Sequence, residues 1–429
     1  MTGTGIREKM RYHDGPARAA ARLTAALLAL VWPFGAQAES IAWDGFVQSH
    51  VAARTGDVTC LATTECDYPA AELRGQLKAE GKSESGNAAF LGRFDLIRDV
   101  ALDETRLETR EIYGDRRASI TAARLGRQVI TWGVGDLLFI NDTFPKDQVA
   151  LFTGQPLQYF KLGADALKLN AYPGAANFEL VIAEFRPDNT PSARRFIFAD
   201  PLPAGLPQRT VEPGHGTEEL ETSARVSGYL DNWEWAGYAS RTHYRSPARR
   251  VAGSEIVGTF PRLNTLGASV AGPVGKGVLS LEAGYYDSVE DRSGTDPAVE
   301  NSQYRGLVGY SQQLWEDATL GVQVYGEWMR DYGAYRDTLP AGFPVKDRVR
   351  KVATIRFTEL FAHQTLTFSC FAFFGLSERD RYLIPSLRYA FSDNLWAEIG
   401  ANLFGGDRNG AFGAMQDNRN AYVTIRYAF

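Results

Sequence analysis

The chain is 429 residues long and carries 42 Gly, 19 Tyr and 24 Phe but only 4 Met and 3 Cys, a composition that favours β structure with many turns over a helical core. Hydrophobic residues at 44% and a mean hydropathy of -0.26 exclude both a disordered chain and a bundle of membrane helices. With 46 Lys+Arg against 51 Asp+Glu, a net charge of -5, no basic excess points to nucleic acid.

The first element is a leader. Arg18 and Arg22 precede the apolar run 23–34, and Ala36-Gln37-Ala38 follows it, which predicts a signal peptide over 1–38 and export of residues 39–429. Next come Cys60 and Cys66 in the polar stretch TCLATTECDYP. Without a neighbouring His they are expected to form a disulfide across a small loop outside the cytoplasm, not a metal or haem site. Cys370, in LTFSCFAFF, is read as a small hydrophobe.

From residue 71 the dominant signal is a period of two. Ala71, Leu73, Gly75, Leu77 and Ala79 alternate with Glu72, Arg74, Gln76, Lys78 and Glu80, a pattern that a helix would scatter around its axis. It recurs at 220–230 and again at 421–429, where Ala421, Val423, Ile425, Tyr427 and Phe429 face away from Tyr422, Thr424, Arg426 and Ala428. Strands are predicted near 41–54, 70–82, 86–98, 104–113, 118–131, 157–171, 176–186, 218–230 and 233–245. Nine more are predicted near 262–272, 276–288, 301–313, 319–331, 348–360, 364–376, 382–392, 395–404 and 419–429. Longer connections at 55–69, 132–156, 187–217, 246–261, 289–300, 332–347 and 405–418 are separated by tight turns such as Tyr172-Pro173-Gly174-Ala175 and Asp231-Asn232. The connection near 99–103 is shorter than its place in this pattern predicts.

About eighteen strands with alternating long and short connections predict an all-β fold: a single closed antiparallel transmembrane β-barrel with short periplasmic turns and long extracellular loops. Lipid offers no partner to backbone N–H and C=O groups, so a spanning sheet must close. Trp233, Trp235, Tyr285, Trp328, Tyr389 and Trp396 are expected at the membrane interfaces.

The terminal residues Tyr427 and Phe429, with apolar residues at every second position before them, resemble the signature by which outer-membrane barrels are recognised by the barrel-assembly machinery. The segment GRQVITWGVGD, Gly126 to Asp136, resembles the GRQ...WG element of the eighteen-stranded alginate-export type porins and their uncharacterised relatives. The resemblance implies a diffusion pore of the bacterial outer membrane, among lipid and lipopolysaccharide; it does not imply alginate.

Pleat parity assigns Arg74, Lys78, Arg93, Arg106, Arg110, Arg124, Arg225, Arg305, Arg356, Arg388 and Arg426 to the lumen, against a smaller set of acids: Glu72, Glu80, Asp95, Glu108, Glu221, Glu282 and Glu327. A basic lumen would attract small anionic solutes, organic anions or acidic saccharides; the alternative is that ion pairs with these acids stiffen the wall. The connection 133–156 is more apolar than an exposed loop should be, and is expected to fold inward and narrow the lumen near Trp132 and Asp136. Arg186, Arg194, Arg195 and Arg209, in or beside a Pro-rich loop, are candidates to capture anions or to meet lipopolysaccharide phosphates.

No catalytic pattern emerges. His50, His215, His243 and His363 belong to no H-E-x-x-H, and there is no G-x-S-x-G or Walker A. No metal, cofactor or N-terminal plug is expected. A second reading is a barrel that sheathes a partner in export, efflux or electron transfer. The solute and the oligomeric state are not encoded in these patterns.

Overall fold

The computed structural model describes residues 38–56, 58–60 and 64–429. The expected leader lies outside these residues except for its last position, Ala38, which opens the first strand.

Elements follow in chain order as β1 (Ala38–Arg54), β2 (Ala70–Ser83), β3 (Ala88–Asp99), β4 (Glu104–Arg117) and β5 (Thr121–Gln128). A long connection containing helix α1 (Gln148–Phe152) leads to β6 (Ala164–Ala171) and β7 (Ala176–Ala183). The next connection contains β8 (Gln208–Val211) and leads to β9 (Glu221–Leu230) and β10 (Trp233–His243). After β11 (Ala248–Ala252) and β12 (Glu255–Thr259) come β13 (Arg262–Val274), β14 (Gly277–Ser288), β15 (Gln303–Trp315) and β16 (Ala318–Met329). Helix α2 (Tyr332–Thr338) precedes β17 (Val349–Phe361), β18 (Leu366–Gly375), β19 (Asp380–Ala390), β20 (Leu395–Gly406) and β21 (Asn420–Ala428).

Eighteen of these strands form one antiparallel sheet, each paired with its neighbours in chain order. The sheet closes where β1 pairs with β21, from Phe46↔Ala428 to Arg54↔Asn420. Gly45 and Phe429 extend that seam by exchanging backbone hydrogen bonds of 3.0 and 2.9 Å. The remaining three strands, β8, β11 and β12, form a small separate sheet in the outer loops; the sequence pattern gave no sign of it. The predicted strand 157–171 is shorter than expected: 157–159 is a 3-10 turn and the strand begins at Ala164.

Parity sorts the wall as lipid requires. Val47, Leu77, Leu107, Leu266, Val308, Val324 and Ile399 point outward and are exposed, whereas Gln48, His50, Asp95, Ser269 and Thr424 point inward and are buried. Two aromatic rows bound the apolar band. Trp43, Tyr389, Tyr427 and Phe429 lie toward the end of the tight turns, and Tyr304 and Trp328 toward the long loops. Trp396 is a correction. It pairs with Arg426 on the inward face and is 8% exposed, so it belongs to the lumen wall and not to an interfacial girdle. Cys60 and Cys66 are joined in a disulfide, Cα atoms 5.9 Å apart.

Val324 sits mid-strand on the lipid side of β16, and Ser311 on the inward side of β15. Val324→Arg is expected to cost about 2–4 kcal/mol of folding free energy in lipid vesicles, because a charge near the bilayer midplane is unsolvated. Ser311→Arg, which faces the lumen, should change urea-induced unfolding little.

Candidate functional site

The lumen wall is a lattice of charge. Strand register places ten of the basic residues named above on the inward side, and Arg110, in a bulge of β4, reaches in to the inward segment at Gln158 and Tyr159. Eight of them meet carboxylates. Arg74 bridges Glu72 and Asp95 at 3.1 and 2.5 Å, with all three side chains buried. Lys78 lies 3.0 Å from both Asp44 and Glu80, Arg93 2.8 Å from Glu111 and Arg106 2.9 Å from Glu108. Arg124 grips Asp115 through two bonds of 2.7 and 2.9 Å. Arg225 meets Glu234 at 3.2 Å, Arg305 meets Glu300 at 3.7 Å, and Arg356 holds Asp136 in a two-point pair.

Carboxylates that the alternation did not single out, Asp99, Glu111, Asp115, Glu179, Glu234, Asp380 and Glu398, also face inward, as do Lys168 and Arg350. The wall as a whole therefore has no basic surplus. What it has is a local one: among the described residues, Arg110, Arg388 and Arg426 form no ion pair. Arg388 lies over the Trp396 ring at 4.0 Å. Arg426 lies over Phe46 at 3.9 Å and Trp396 at 5.1 Å, and its Nε donates to Gln48 Oε1 at 3.0 Å. Arg110 donates to the Gln158 carbonyl at 2.9 Å and lies 4.6 Å from the Tyr159 ring, which Arg74 approaches at 4.1 Å. Aromatic faces hold these guanidinium groups in place without neutralising them.

Residues 129–163 run from the outer end of β5 into the barrel and back. The GRQ...WG segment forms the entrance. Gly126 has φ +128, and a Cβ there would lie 2.2 Å from the Ile112 carbonyl oxygen. Arg127 pairs with Asp165 by two bonds, and buried Gln128 donates to the Gly126 and Ala166 carbonyls. Trp132 is 4% exposed, packs against Phe144 and the inward-facing Tyr238, and donates from its indole N–H to Glu179 at 2.5 Å.

At Gly133, φ +78, a Cβ would come within 2.6 Å of Glu282. The Glu282 carboxylate accepts from the backbone N–H groups of Val134, Gly135 and Asn141 and from the Asn141 side chain, at 2.9–3.1 Å. This cage of donors compensates a buried anion that has no ion-pair partner among the described residues. Asp136 then meets Arg356 and exchanges backbone bonds with the Gln323 side chain.

Beyond Asp136 the segment crosses to the far wall. Tyr286 donates to the Ile140 carbonyl, Tyr382 to that of Leu151 at 3.1 Å, and Asn420 to that of Phe152 at 3.0 Å. His50 Nε2 lies 3.0 Å from the Thr153 carbonyl, and Gln155 donates to Glu72 at 2.8 Å. Its apolar side packs with inward Tyr286, Tyr325, Phe371, Phe373, Tyr382 and Phe404 into one core; Tyr382 and Phe404 stack at 4.3 Å. The segment also hides charge. Burial pushes the Lys146 ammonium down from its usual value while Asp142 and Asp188 oppose the shift, and burial pushes Asp147, the cap of α1, up. A cavity of about 510 Å³ remains between the segment and the wall, lined by Phe139, Phe160, Tyr244, Arg245, Tyr286 and Arg305. An adjoining one of about 460 Å³ shares Glu300, Arg305, Lys346 and Arg350 with it.

The four loop arginines serve other contacts. Arg194 pairs with Glu104, Arg195 with Asp99 and Arg209 with Glu255, and Arg186 donates to the Gly163 carbonyl.

Among solved structures, OccK5 (OpdH) of Pseudomonas aeruginosa aligns over 92% of this chain and 99% of its own, with TM-score 0.54 and 11% identity. A porin variant from Rh. blastica covers 91% of this chain and 100% of its own at TM-score 0.43 and 12% identity. A loop-deletion variant of OmpT, an outer membrane protein of Vibrio cholerae, covers 91% and 99% at TM-score 0.41 and 9% identity. Only the first is close enough overall to bear on this chain, and it bears on the fold. No family model matches the chain, and no curated protein matches it. The fold is therefore that of the porin-type β-barrels, and the closed even-stranded sheet with its apolar outer band has the build of a membrane-spanning barrel.

Glu282→Ala removes the acceptor that anchors the inward segment on one side and leaves four donors without it. Single-channel recordings are expected to show higher and noisier conductance than wild type, with Glu282→Gln intermediate because its amide oxygen keeps part of the cage.

Proposed function

We propose that the protein is a passive outer-membrane channel for small hydrophilic solutes that favours anions, either organic anions or acidic saccharides. The observation that carries the preference is the group Arg110, Arg388 and Arg426. These are inward-facing cations without a carboxylate partner, placed around Tyr159, Phe46 and Trp396. Fixed charge on a low-dielectric wall focuses its field into the water beside it, so a small unpaired group outweighs many neutralised pairs. The outer cavities carry Arg305 and Arg350 paired with Glu300, Glu327 and Glu378, so they add no comparable surplus. The alginate-export type resemblance of Gly126–Asp136 supports the pore reading, because that segment is what steers the chain into the lumen.

Tyr427 and Phe429 are proposed as the signal read by the barrel-assembly machinery. The sheath alternative is disfavoured: residues 129–163 already occupy the space that a threaded partner would need.

The test is a planar-bilayer recording of the purified protein under a salt gradient. Wild type is expected to give an anion-selective reversal potential. Combined Arg110→Ala, Arg388→Ala and Arg426→Ala should move it toward cations, while Arg225→Ala, which removes an already paired charge, should move it less. Cation preference in wild type would overturn the anion assignment, and a folded barrel without conductance would overturn the channel. Deleting Tyr427–Phe429 is expected to lower the yield of heat-modifiable, folded barrel in cells without changing synthesis of the chain.

A further inference from the structure

On the lipid-facing side of β14, β15 and β16, toward the long loops, three aromatic residues form one row. Tyr285 is opposite Tyr304, and Tyr304 is opposite Trp328. The two tyrosine rings are 4.9 Å apart, and Tyr304 and Trp328 are 53% and 52% exposed. Such a row marks the level where acyl chains give way to head groups.

Basic residues gather at that level. Arg330 follows β16 directly and donates to the Tyr285 hydroxyl at 3.0 Å. The Arg348 guanidinium lies 5.6 Å over the Trp328 ring. Lys351 is on the outward side of β17, opposite Gly326. All three are exposed. Among the described residues Arg348 and Lys351 form no ion pair, and Arg330 has only a 3.7 Å contact with Asp331. The nearby Asp287 is already engaged by Arg292 at 2.9 Å. Cations along the outer rim elsewhere are used differently: Arg98 pairs with Asp103, Arg194 with Glu104 and Arg209 with Glu255.

We propose that this rim seats a phosphorylated glycolipid of the outer leaflet. The aromatic row would lie along its acylated sugar, with Arg330, Arg348 and Lys351 at its phosphates. Three cations spread over the ends of β16 and β17, two of them without any ion pair among the described residues, offer more positive charge than one phosphate neutralises and suit a head group that carries two. Phosphatidylglycerol presents only one. This assignment depends on the outer-membrane placement of the barrel and is independent of the channel reading.

The experiment is a native mass spectrometry titration of the detergent-purified protein with bisphosphorylated lipid A, dephosphorylated lipid A and phosphatidylglycerol. Preferential retention of the bisphosphorylated lipid is expected. Arg330→Glu with Arg348→Glu and Lys351→Glu should weaken it by roughly a hundredfold or more, since each cation at an anionic surface contributes about fivefold. The milder pair Arg348→Gln with Lys351→Gln adds no acid to the rim and should weaken it by about thirtyfold. Heat-modifiable mobility and conductance should stay as in wild type, so a loss of binding is read on a folded pore. Equal binding of dephosphorylated lipid A, equal binding of phosphatidylglycerol, or wild-type affinity in the folded Gln pair would each overturn the proposal.

Discussion

A peptide group in hydrocarbon has no water to bond, and the rest of this structure follows from that constraint. Every strand of the sheet must find partners on both edges, so the first and last strands must meet. They do so over Phe46–Arg54 and Asn420–Ala428, with Gly45 and Phe429 continuing the ladder to the end of the chain. Once the sheet is closed, each strand has an oily outside and a wet inside, and alternate side chains sort accordingly. The inward groups are then packed closely enough that their charges must answer one another. Arg74 with Glu72 and Asp95, and Arg106 with Glu72, Asp99 and Glu108, are the outcome. Taking one partner from the buried Arg74–Asp95 pair is expected to cost about 3–5 kcal/mol, whereas the half-exposed Arg106–Glu108 pair is worth less.

The inward segment is held by a different principle. Few of its bonds join opposite charges; most join its backbone to single side chains of the wall, among them Glu282, Gln323, Tyr286, Tyr382 and Asn420. Its carbonyls and N–H groups thus receive the satisfaction that strand pairing gives elsewhere, while its apolar side chains build a core against the aromatic wall. The barrel is therefore layered along its axis: on β19, Tyr382 of the apolar seat lies near the outer end and the unpaired Arg388 near the tight turn to β20.

Much of this was legible in the amino-acid pattern because parity is a short-range property. Arg74, Arg225 and Arg426 alternate with Leu73, Val226 and Ile425, and nothing distant can change which way they point while the strand is regular. The misreadings fall where regularity breaks. A register shift between Arg93 and Phe94 leaves Arg110 in a bulge, and beyond it the odd-numbered Glu111 and Asp115 face inward, although Arg106 and Glu108 before it are even. Trp396 has the composition of a girdle residue, but only its pairing with Arg426 shows that it faces the arginines. The stretch 157–163 reads like the start of a strand because it is apolar; its burial comes from the lumen wall and not from a sheet neighbour. The ion-pair partners were illegible for a simpler reason: Asp136 and Arg356 are far apart in the chain.

The outer loops are stacked in order of depth. Residues 146–152 lie innermost, and the Asn189 carbonyl accepts from the N–H groups of Gln148 and Val149 while Phe196 packs edge-on against Phe152. Above them, Thr64 and Glu65 in the disulfide loop bond the carbonyls of Ala193 and Arg194, and Arg54 reaches Cys66, Arg195 and Asp417 at once. The cystine-bearing loop, early in the chain, thus takes its partners from Ala193, Arg194 and Arg195, more than a hundred residues later, so the seat of the barrel's mouthpiece is furnished by the middle of the chain.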